Sequence, residues 1–228
     1  MRRLTLALGG VLAAAATTLG VTAPAAAQET AAVYVVHGIP DTPVDVYVDG
    51  ARLLDDFQPG SPAGPVDVPR GAHEVALFPA DAADGSGSPL LSATQEVPGG
   101  GNVTLVAHLT EAGQPTVTPF VNDVSPVPAG QARLVVRHTA AAPAVDVLAG
   151  GSPVISGLAN PGEKALQVPA GTVSAAVAAA GTTEPVIGPA DLDLKEGTAT
   201  FVHAIGSLDA KNLNLVAVTV DGLHNPTG

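Results

Sequence analysis

The sequence contains one pattern twice, about one hundred residues apart. Residues 33–50 read V-Y-V-V-H-G-I-P-D-T-P-V-D-V-Y-V-D-G, and residues 134–151 read L-V-V-R-H-T-A-A-A-P-A-V-D-V-L-A-G-G. His37 matches His138 and Asp45 matches Asp146, both at an offset of 101 positions. A repeat of this kind predicts two copies of one structural unit, each of about 95 residues.

The repeated unit has the pattern of β-strands. Short runs of Val, Leu, Tyr and Phe are separated every 8–12 residues or so by Gly, Pro, Asp or Asn, which is typical of sandwiches and barrels. Asp49-Gly50 predicts a two-residue hairpin turn, and Gly150-Gly151 permits the same geometry in the second copy. The predicted strands are 32–37, 44–49, 51–57, 65–68, 72–78, 90–97, 102–109, 115–121, 132–138, 145–149, 152–156, 164–168, 172–179, 185–194, 198–205 and 212–220.

Alternation along these strands predicts which faces are buried. Val44, Val46 and Val48 fall on one side of their strand, while Asp45 and Tyr47 fall on the other. One buried face and one polar face favour antiparallel sheets. The predicted fold class is therefore all-β, with two tandem antiparallel β-sandwich domains.

A signal peptide is predicted over residues 1–27. Arg2 and Arg3 form a basic start, an apolar stretch follows to about Leu19, and Ala25-Ala26-Ala27 supplies a cleavage site. An uncleaved membrane anchor is the alternative, since an apolar span of roughly 20 residues can cross a bilayer. Cleavage is favoured because the stretch is rich in Ala, Gly and Thr.

The remaining chain divides at a proline-rich segment. We predict a first sandwich over 28–122, a linker over 123–130 and a second sandwich over 131–228. Pro126 and Pro128 make the linker stiff, which favours a restricted orientation of the two domains. The second copy has few aromatic residues, so we expect it to be the less stable domain unless it packs against the first.

Composition excludes several classes of function. A formal net charge of −12 gives no electrostatic footprint for nucleic acid or an anionic membrane. The chain has no cysteine, which excludes disulfides, thiolate metal sites and cysteine nucleophiles. With the signal removed, we expect an exported protein at the cell surface or in the medium, with no stable membrane insertion.

A group of histidines and aspartates is the candidate metal site. His37, Asp41 and Asp45 surround one turn, and if the first and seventh strands are neighbours, a later histidine would join them. Two histidines and a carboxylate would suffice for a divalent transition metal. The alternative is that these side chains bond backbone groups where the strand turns. The remaining candidates are the reduced copy and the later histidines, namely His138, Asp146, His108 and His203.

Tyr47 is the candidate ligand-binding or interface residue. It lies on the outward face beside Asp45 and is the only plausible aromatic platform for a sugar. The favoured alternative is that Tyr47 packs against the neighbouring domain.

Enzymatic motifs are absent from the sequence. It has no G-x-S-x-G, no H-E-x-x-H and no phosphate-binding loop, and no spacing singles out a nucleophile and base. We therefore expect no enzymatic activity and no cofactor.

At residues 35–50, V-V-H-G-I-P-D-T-P-V-D-V-Y-V-D-G, the chain resembles an uncharacterised bacterial cell-envelope domain with the pattern V-x-H-x-S-P-D-A-P-x-V-D-V-Y-x-D-G. The resemblance continues through V-P-R-G-A-H-E-V-A-L-F at 68–78 and covers the mature chain as two copies. The second copy departs at Ala140-Ala141-Ala142 and at Leu148. The resemblance implies an exported β-sandwich, similar to immunoglobulin-like and prealbumin-like modules, with no assigned chemistry.

The sequence favours an exported, non-enzymatic structural or protein-interaction module of the bacterial envelope or medium, with an envelope or extracellular protein as its partner. Two alternatives stay open. One is a metal-binding or small-ligand-binding module centred on His37, Asp41 and Asp45. The other is an accessory domain of an envelope hydrolase.

Overall fold

The computed structural model describes residues 29–82 and 84–224, so the predicted signal peptide lies outside the described residues. Within these ranges the secondary structure consists of strands, and no helix has the length and apolar character needed to cross a membrane. The strands of the first half are β1 (Thr30–His37), β2 (Val44–Val48), β3 (Ala51–Phe57), β4 (Pro62–Pro69), β5 (Gly71–Pro79), β6 (Leu91–Val97), β7 (Asn102–Leu109) and β8 (Pro115–Val121). Those of the second half are β9 (Gln131–His138), β10 (Val145–Ala149), β11 (Ser152–Leu158), β12 (Gly162–Pro169), β13 (Gly171–Ala179), β14 (Pro185–Leu194), β15 (Ala199–Ile205) and β16 (Asn214–Val220).

The strands form two sandwiches with the same topology. The first pairs the sheet β4-β1-β7-β8 with the sheet β3-β2-β5-β6, and the second pairs β12-β9-β15-β16 with β11-β10-β13-β14. Adding eight to each strand number of the first sandwich gives the second. The predicted fold class is confirmed, and each predicted strand is present with ends that differ by at most three residues.

One pair of strands in each sandwich is parallel. β1 runs parallel to β7, and β9 runs parallel to β15. The prediction of antiparallel sheets is therefore wrong at these pairs and correct at the others. The physical reason is the connection: the chain leaves β1, builds strands of both sheets and returns in the same direction, which parallel neighbours require.

Alternation along each strand divides its side chains between two layers. In β1, Val33 and Val35 enter the core between the two sheets of the first sandwich, whereas Tyr34 and Val36 face the opposite side. In β9, Leu134 and Val136 enter the second core, and Val135 faces the opposite side. Both faces of these central strands are therefore buried.

A third apolar cluster lies between the sandwiches. It joins side chains from the outer face of β4-β1-β7-β8 to side chains from the outer face of β12-β9-β15-β16. The two domains thus pack sheet against sheet, and the molecule has four β-layers. The buried members of this interface are Val36, Val106, Phe120, Val135, Ala199, Phe201, Ile205, Val216 and Val218.

Candidate functional site

His37 and His138 occupy equivalent positions at the ends of β1 and β9. The Nε2–H group of His37 donates to the carbonyl oxygen of Thr42 over 2.8 Å, and that of His138 donates to the carbonyl oxygen of Pro143 over 2.9 Å. Both side chains are buried, and burial lowers the pKa of His37. Each histidine therefore fastens the turn after its strand, as the alternative interpretation predicts.

The remaining ring nitrogens of these histidines differ. Nδ1 of His138 accepts from the amide of Ala140 over 3.5 Å, whereas Nδ1 of His37 has no hydrogen-bond partner among the described residues. The His37 ring instead stacks on Phe57, with ring centroids 5.6 Å apart. Because Nε2 carries the proton in both rings, Nδ1 is left as an acceptor.

Asp45 and Asp146 also have a shared structural role. Oδ1 of Asp45 accepts from the backbone amide of Asp56 over 2.9 Å, and Oδ1 of Asp146 accepts from that of Gly157 over 2.8 Å. Asp56 and Gly157 both have positive φ, and the strand register shifts beside each aspartate. The buried carboxylates therefore hold a β-bulge in β3 and in β11.

The second carboxylate oxygens differ between the domains. Oδ2 of Asp146 accepts from the amide of Gly181 over 2.8 Å, whereas Oδ2 of Asp45 faces Nη1 of Arg52 at 3.4 Å. Asp41 is exposed, and its Oδ2 accepts from Nδ2 of Asn212 over 3.4 Å. Each oxygen of the two buried aspartates thus has a partner inside the chain.

The predicted convergence of His37 with His108 does not occur. β1 and β7 are neighbours, as the hypothesis required, but His37 is in register with Ala107. His108 therefore points to the opposite face of the sheet, toward the other domain. The same separation holds in the second sandwich, where His138 is in register with Ala204 and not with His203.

A different set of three aspartates has potential metal-ligand atoms close together. Among the described residues, one set of three ligand side chains, Asp45, Asp55 and Asp56, has these atoms within 4.8 Å of one another. Asp55 also pairs with Nη1 of Arg52 over 2.7 Å. The second sandwich has Ser156 and Gly157 at the positions of Asp55 and Asp56, so the group is not part of the repeat.

Arg137 is the centre of the interface between the sandwiches. Its side chain is fully buried, and its guanidinium carbon lies 4.5 Å from the ring centroid of Phe120 and 4.8 Å from that of Phe201. Its nitrogens donate to Oδ1 of Asn122 over 2.8 Å and to Oε2 of Glu163 over 2.9 Å. Arg137 therefore holds a residue after β8 of the first sandwich to strands of the second.

His203 completes the network around this arginine. Nη1–H of Arg137 donates to Nε2 of His203 over 3.3 Å, while Nδ1–H of His203 donates to the carbonyl of Val216 over 3.2 Å. Burial, aided by the positive charge of Arg137, lowers the pKa of His203 to about 3. The ring is therefore neutral, with its proton on Nδ1.

His108 contributes from the first sandwich. Nδ1–H donates to the carbonyl of Leu109 over 2.9 Å, and Nε2 accepts from Oγ1 of Thr118 over 2.8 Å. Burial lowers the pKa of His108. Both ring nitrogens are thus used within the interface layer.

Further contacts fix the orientation of the two domains. Nδ2 of Asn160, in the second sandwich, donates to the carbonyl of Leu109 over 2.9 Å. Arg133 donates to the carbonyls of Asp123 and Ser125 over 2.8 and 3.0 Å, which fastens the connecting segment to β9. Apolar packing and directional bonds together make this a specific interface.

Tyr47 packs within its own domain. It is buried, and its ring meets that of Phe78 at a centroid distance of 5.1 Å and an angle of 71°. The loop between β5 and β6 covers it, since a Cβ atom at Gly85 would lie 2.9 Å from ring carbons of Tyr47. The structure therefore contradicts both interpretations of Tyr47, because it is neither an exposed platform nor packed against the second domain.

Sequence reasoning missed Arg137, Asn122 and Glu163. Arg137 had a usable signal, because it interrupts the apolar run L-V-V-R-H at the position of Val36 in the first copy. A charge inside such a run indicates a paired, buried side chain. Asn122 and Glu163 had no signal, since their roles depend on how the domains meet.

A family model described as "Domain of unknown function (DUF4397)" matches residues 31–148, from β1 into β10. No curated protein matches the chain. A solved structure, the Bacillus anthracis TIE protein, is similar over 78% of this chain at 14% identity and a TM-score of 0.23. The chain spans about a third of the length of that protein, 33%. A likeness of this size carries no information about function.

Proposed function

This chain belongs to the family of the domain of unknown function DUF4397, and we propose that it is an exported, non-enzymatic module of the bacterial envelope or medium. Its role is structural or lies in protein interaction, and its partner is an envelope or extracellular protein. The proposed export rests on the signal peptide of residues 1–27, which a peptidase removes.

The use of the candidate polar side chains carries this proposal. His37, His138 and Asp146 are buried and donate to or accept from backbone groups of their own domain. His108 and His203 are buried between the domains, where both ring nitrogens have partners. A catalytic base or nucleophile needs a lone pair that a substrate can reach. The lone pairs of these groups are bonded within the protein, except that of Nδ1 of His37, which is fully buried.

The rigid interface supports a structural role. A buried arginine held between two phenylalanine rings and bonded to both domains opposes rotation of one sandwich on the other. Two domains with a fixed orientation can carry binding surfaces at a fixed distance, which a flexible tether cannot.

We also infer that the second sandwich is a second copy of the family's domain. The offset of 101 between the two patterns and the shared sheet order support it. The paired roles of His37 and His138 at their turns support it further.

A pull-down tests the proposed function. The exported protein is immobilised and exposed to envelope and culture-supernatant fractions, with and without chelator, and bound proteins and glycans are identified by mass spectrometry. We expect a saturable protein partner whose binding is insensitive to chelator.

Other outcomes of this experiment distinguish the alternatives. Chelator-sensitive binding would support the metal-binding module, and co-purification of a hydrolase would support the accessory domain. Turnover of any substrate that is lost in His37→Ala but kept in the control His73→Ala would refute a non-enzymatic function.

A further inference from the structure

The edge strands of the four sheets differ in how they are protected. An exposed edge invites pairing with another strand, and proteins oppose this with proline or charge. Seven of the eight edges within the described ranges carry such a residue, whereas β16, with the sequence N-L-V-A-V-T-V, has neither. The protecting residues are Arg52, Asp55 and Asp56 in β3; Pro62, Pro65, Asp67 and Pro69 in β4; Glu96 in β6; Pro115 and Pro119 in β8; Pro153 in β11; Glu163, Lys164 and Pro169 in β12; and Pro185, Pro189, Asp191 and Asp193 in β14.

The duplication shows where protection is lost. Val35 of β1 is in register with Leu105 of β7, which is in register with Pro119 of β8. The same path through the second sandwich runs from Val136 to Val202 and ends at Ala217. Ala217 therefore occupies the position that Pro119 blocks in the first sandwich.

This equivalence also shows which way the backbone groups point. Proline lacks an amide hydrogen and is tolerated in an edge strand where the amide faces outward. The amide of Ala217 therefore points away from β15, as do those of Leu215 and Thr219 by alternation. Consistently, the amide of Leu215 donates to the side chain of its neighbour Asn214 over 2.8 Å.

The free edge of β16 borders an open groove. β16 pairs with β15 along one edge and has no strand partner along the other among the described residues, and its side chains Ala217 and Thr219 are exposed. The opposite wall of the groove is formed by Tyr34 and residues 62–64 of the first sandwich.

We propose that β16 pairs antiparallel with β16 of a second copy of this chain, centred on Ala217. In this register Ala217 lies opposite its own equivalent and Leu215 opposite Thr219, so outward-facing backbone groups meet as hydrogen-bonded pairs. Val216 and Val218 of each copy stay buried in the interface cluster of their own chain, so the two copies meet through the backbone groups of the paired strands. This symmetry makes one strand complementary to itself.

The charges beside β16 are also compatible with pairing to β16 of a second copy. β16 carries no charge, so pairing two copies brings no like charges together within it. Asp221 of one copy comes opposite Leu213 of the other, two residues from Lys211. Asp221 and Lys211 are exposed and opposite in sign. This self-pairing is independent of the external partner proposed above.

The test is the mass of the exported full chain in solution, measured by sedimentation equilibrium between about 1 and 100 µM. We expect a concentration-dependent dimer for the natural sequence. Ala217→Pro should weaken the dimer at least about tenfold, with an unchanged circular dichroism spectrum, because Pro119 shows that this position accepts proline. Ala217→Lys is the second variant, and it should weaken the dimer in the same way. It provides the test if the proline variant does not fold.

Thr94→Lys on the edge strand β6 is the matched control and should leave the dimer intact. A monomer throughout the concentration range would overturn the proposal. So would a dimer that persists in both Ala217 variants, since another surface would then hold it. A monomer that captures an extended segment of a different protein at β16 would assign the edge to that protein and likewise overturn self-pairing.

Discussion

The two sandwiches have the same strands in the same order, yet they differ at the surfaces through which each meets its surroundings. On the outer sheet, Tyr47 and Phe78 of the first sandwich correspond to Leu148 and Ala178 of the second. At the interface, Val36 corresponds to Arg137. At the edge, Pro119 corresponds to Ala217. The repeated core and turns thus maintain the fold, while the outer sheets, the interface and one edge strand differ between the two copies.

The largest expected effect is at the interface. Arg137→Ala should lower the free energy of unfolding by roughly 3–4 kcal/mol, because Asn122 and His203 lose their donor and two phenylalanine rings lose their contact. Val36→Ala, the equivalent change in the first sandwich, should cost about 2 kcal/mol, since it removes apolar packing alone. Chemical denaturation followed by circular dichroism measures both.

The control for Arg137 is an exposed arginine. Arg70 pairs with Glu29 over 3.1 Å at the surface, and Arg70→Ala should cost less than about 1 kcal/mol. Equal losses for the two arginine variants would show that the buried network does not hold the domains together.

The second-largest expected effect is on the outer sheet of the first sandwich. Phe78→Ala gives the first sandwich the residue that the second has at position 178, and it should cost about 3 kcal/mol through the lost contact with Tyr47. Leu90→Ala, at an exposed side chain nearby, should change stability by less than about 0.5 kcal/mol. If Phe78→Ala were as mild as Leu90→Ala, the aromatic pair would not stabilise the first domain.

A pH-dependent loss of stability should report the interface histidine. Burial lowers the pKa of His203 from its ordinary value of 6.5 to about 3, so the unfolded chain binds a proton that the folded chain excludes. Stability therefore falls as the pH drops below 6.5, by about 1.4 kcal/mol per pH unit for one such group. Unfolding free energies measured from pH 4 to 7 give this slope.

The variant His203→Gln separates this residue from the others. Burial also lowers the pKa of His37 and His108, which add to the slope in the same direction. His203→Gln should reduce the slope by about 1.4 kcal/mol per pH unit, the contribution of one proton, and should leave the contributions of His37 and His108 unchanged. An unchanged slope would mean that His203 is protonated in the folded protein.

The sequence predicted what depends on local pattern. Alternation located the strands, and Asp49-Gly50 located a turn, because these features depend on neighbouring residues. The parallel pairing of β1 with β7 and the burial of Arg137 depend on contacts between distant segments, so no short pattern encodes them. Tyr47 shows the same limit, since its cover comes from a loop whose packing the sequence did not reveal.

The smallest expected effect belongs to a pair found in the first sandwich alone. Nδ1–H of His73 donates to Oδ2 of Asp49 over 2.6 Å, and Nε2–H donates to the carbonyl of Pro69 over 2.7 Å. Both partners are acceptors, so the charged ring suits the site, and the bond to Asp49 raises the pKa of His73. The pair's stabilisation is present below pH 6.5 and is lost as the pH rises through this raised pKa.

The second sandwich has Gly150 and Val173 at the positions of Asp49 and His73, so the effect belongs to one copy. Between pH 6 and 9 the natural protein should lose less than about 1 kcal/mol of stability from this pair, because Asp49 is exposed and solvent screens the interaction. His73→Gln should abolish this loss. Melting temperatures of the natural protein and the variant across this range measure it. If the two curves were parallel, His73 would be neutral in the folded protein, and the turn between β2 and β3 would have the same pH response in both copies.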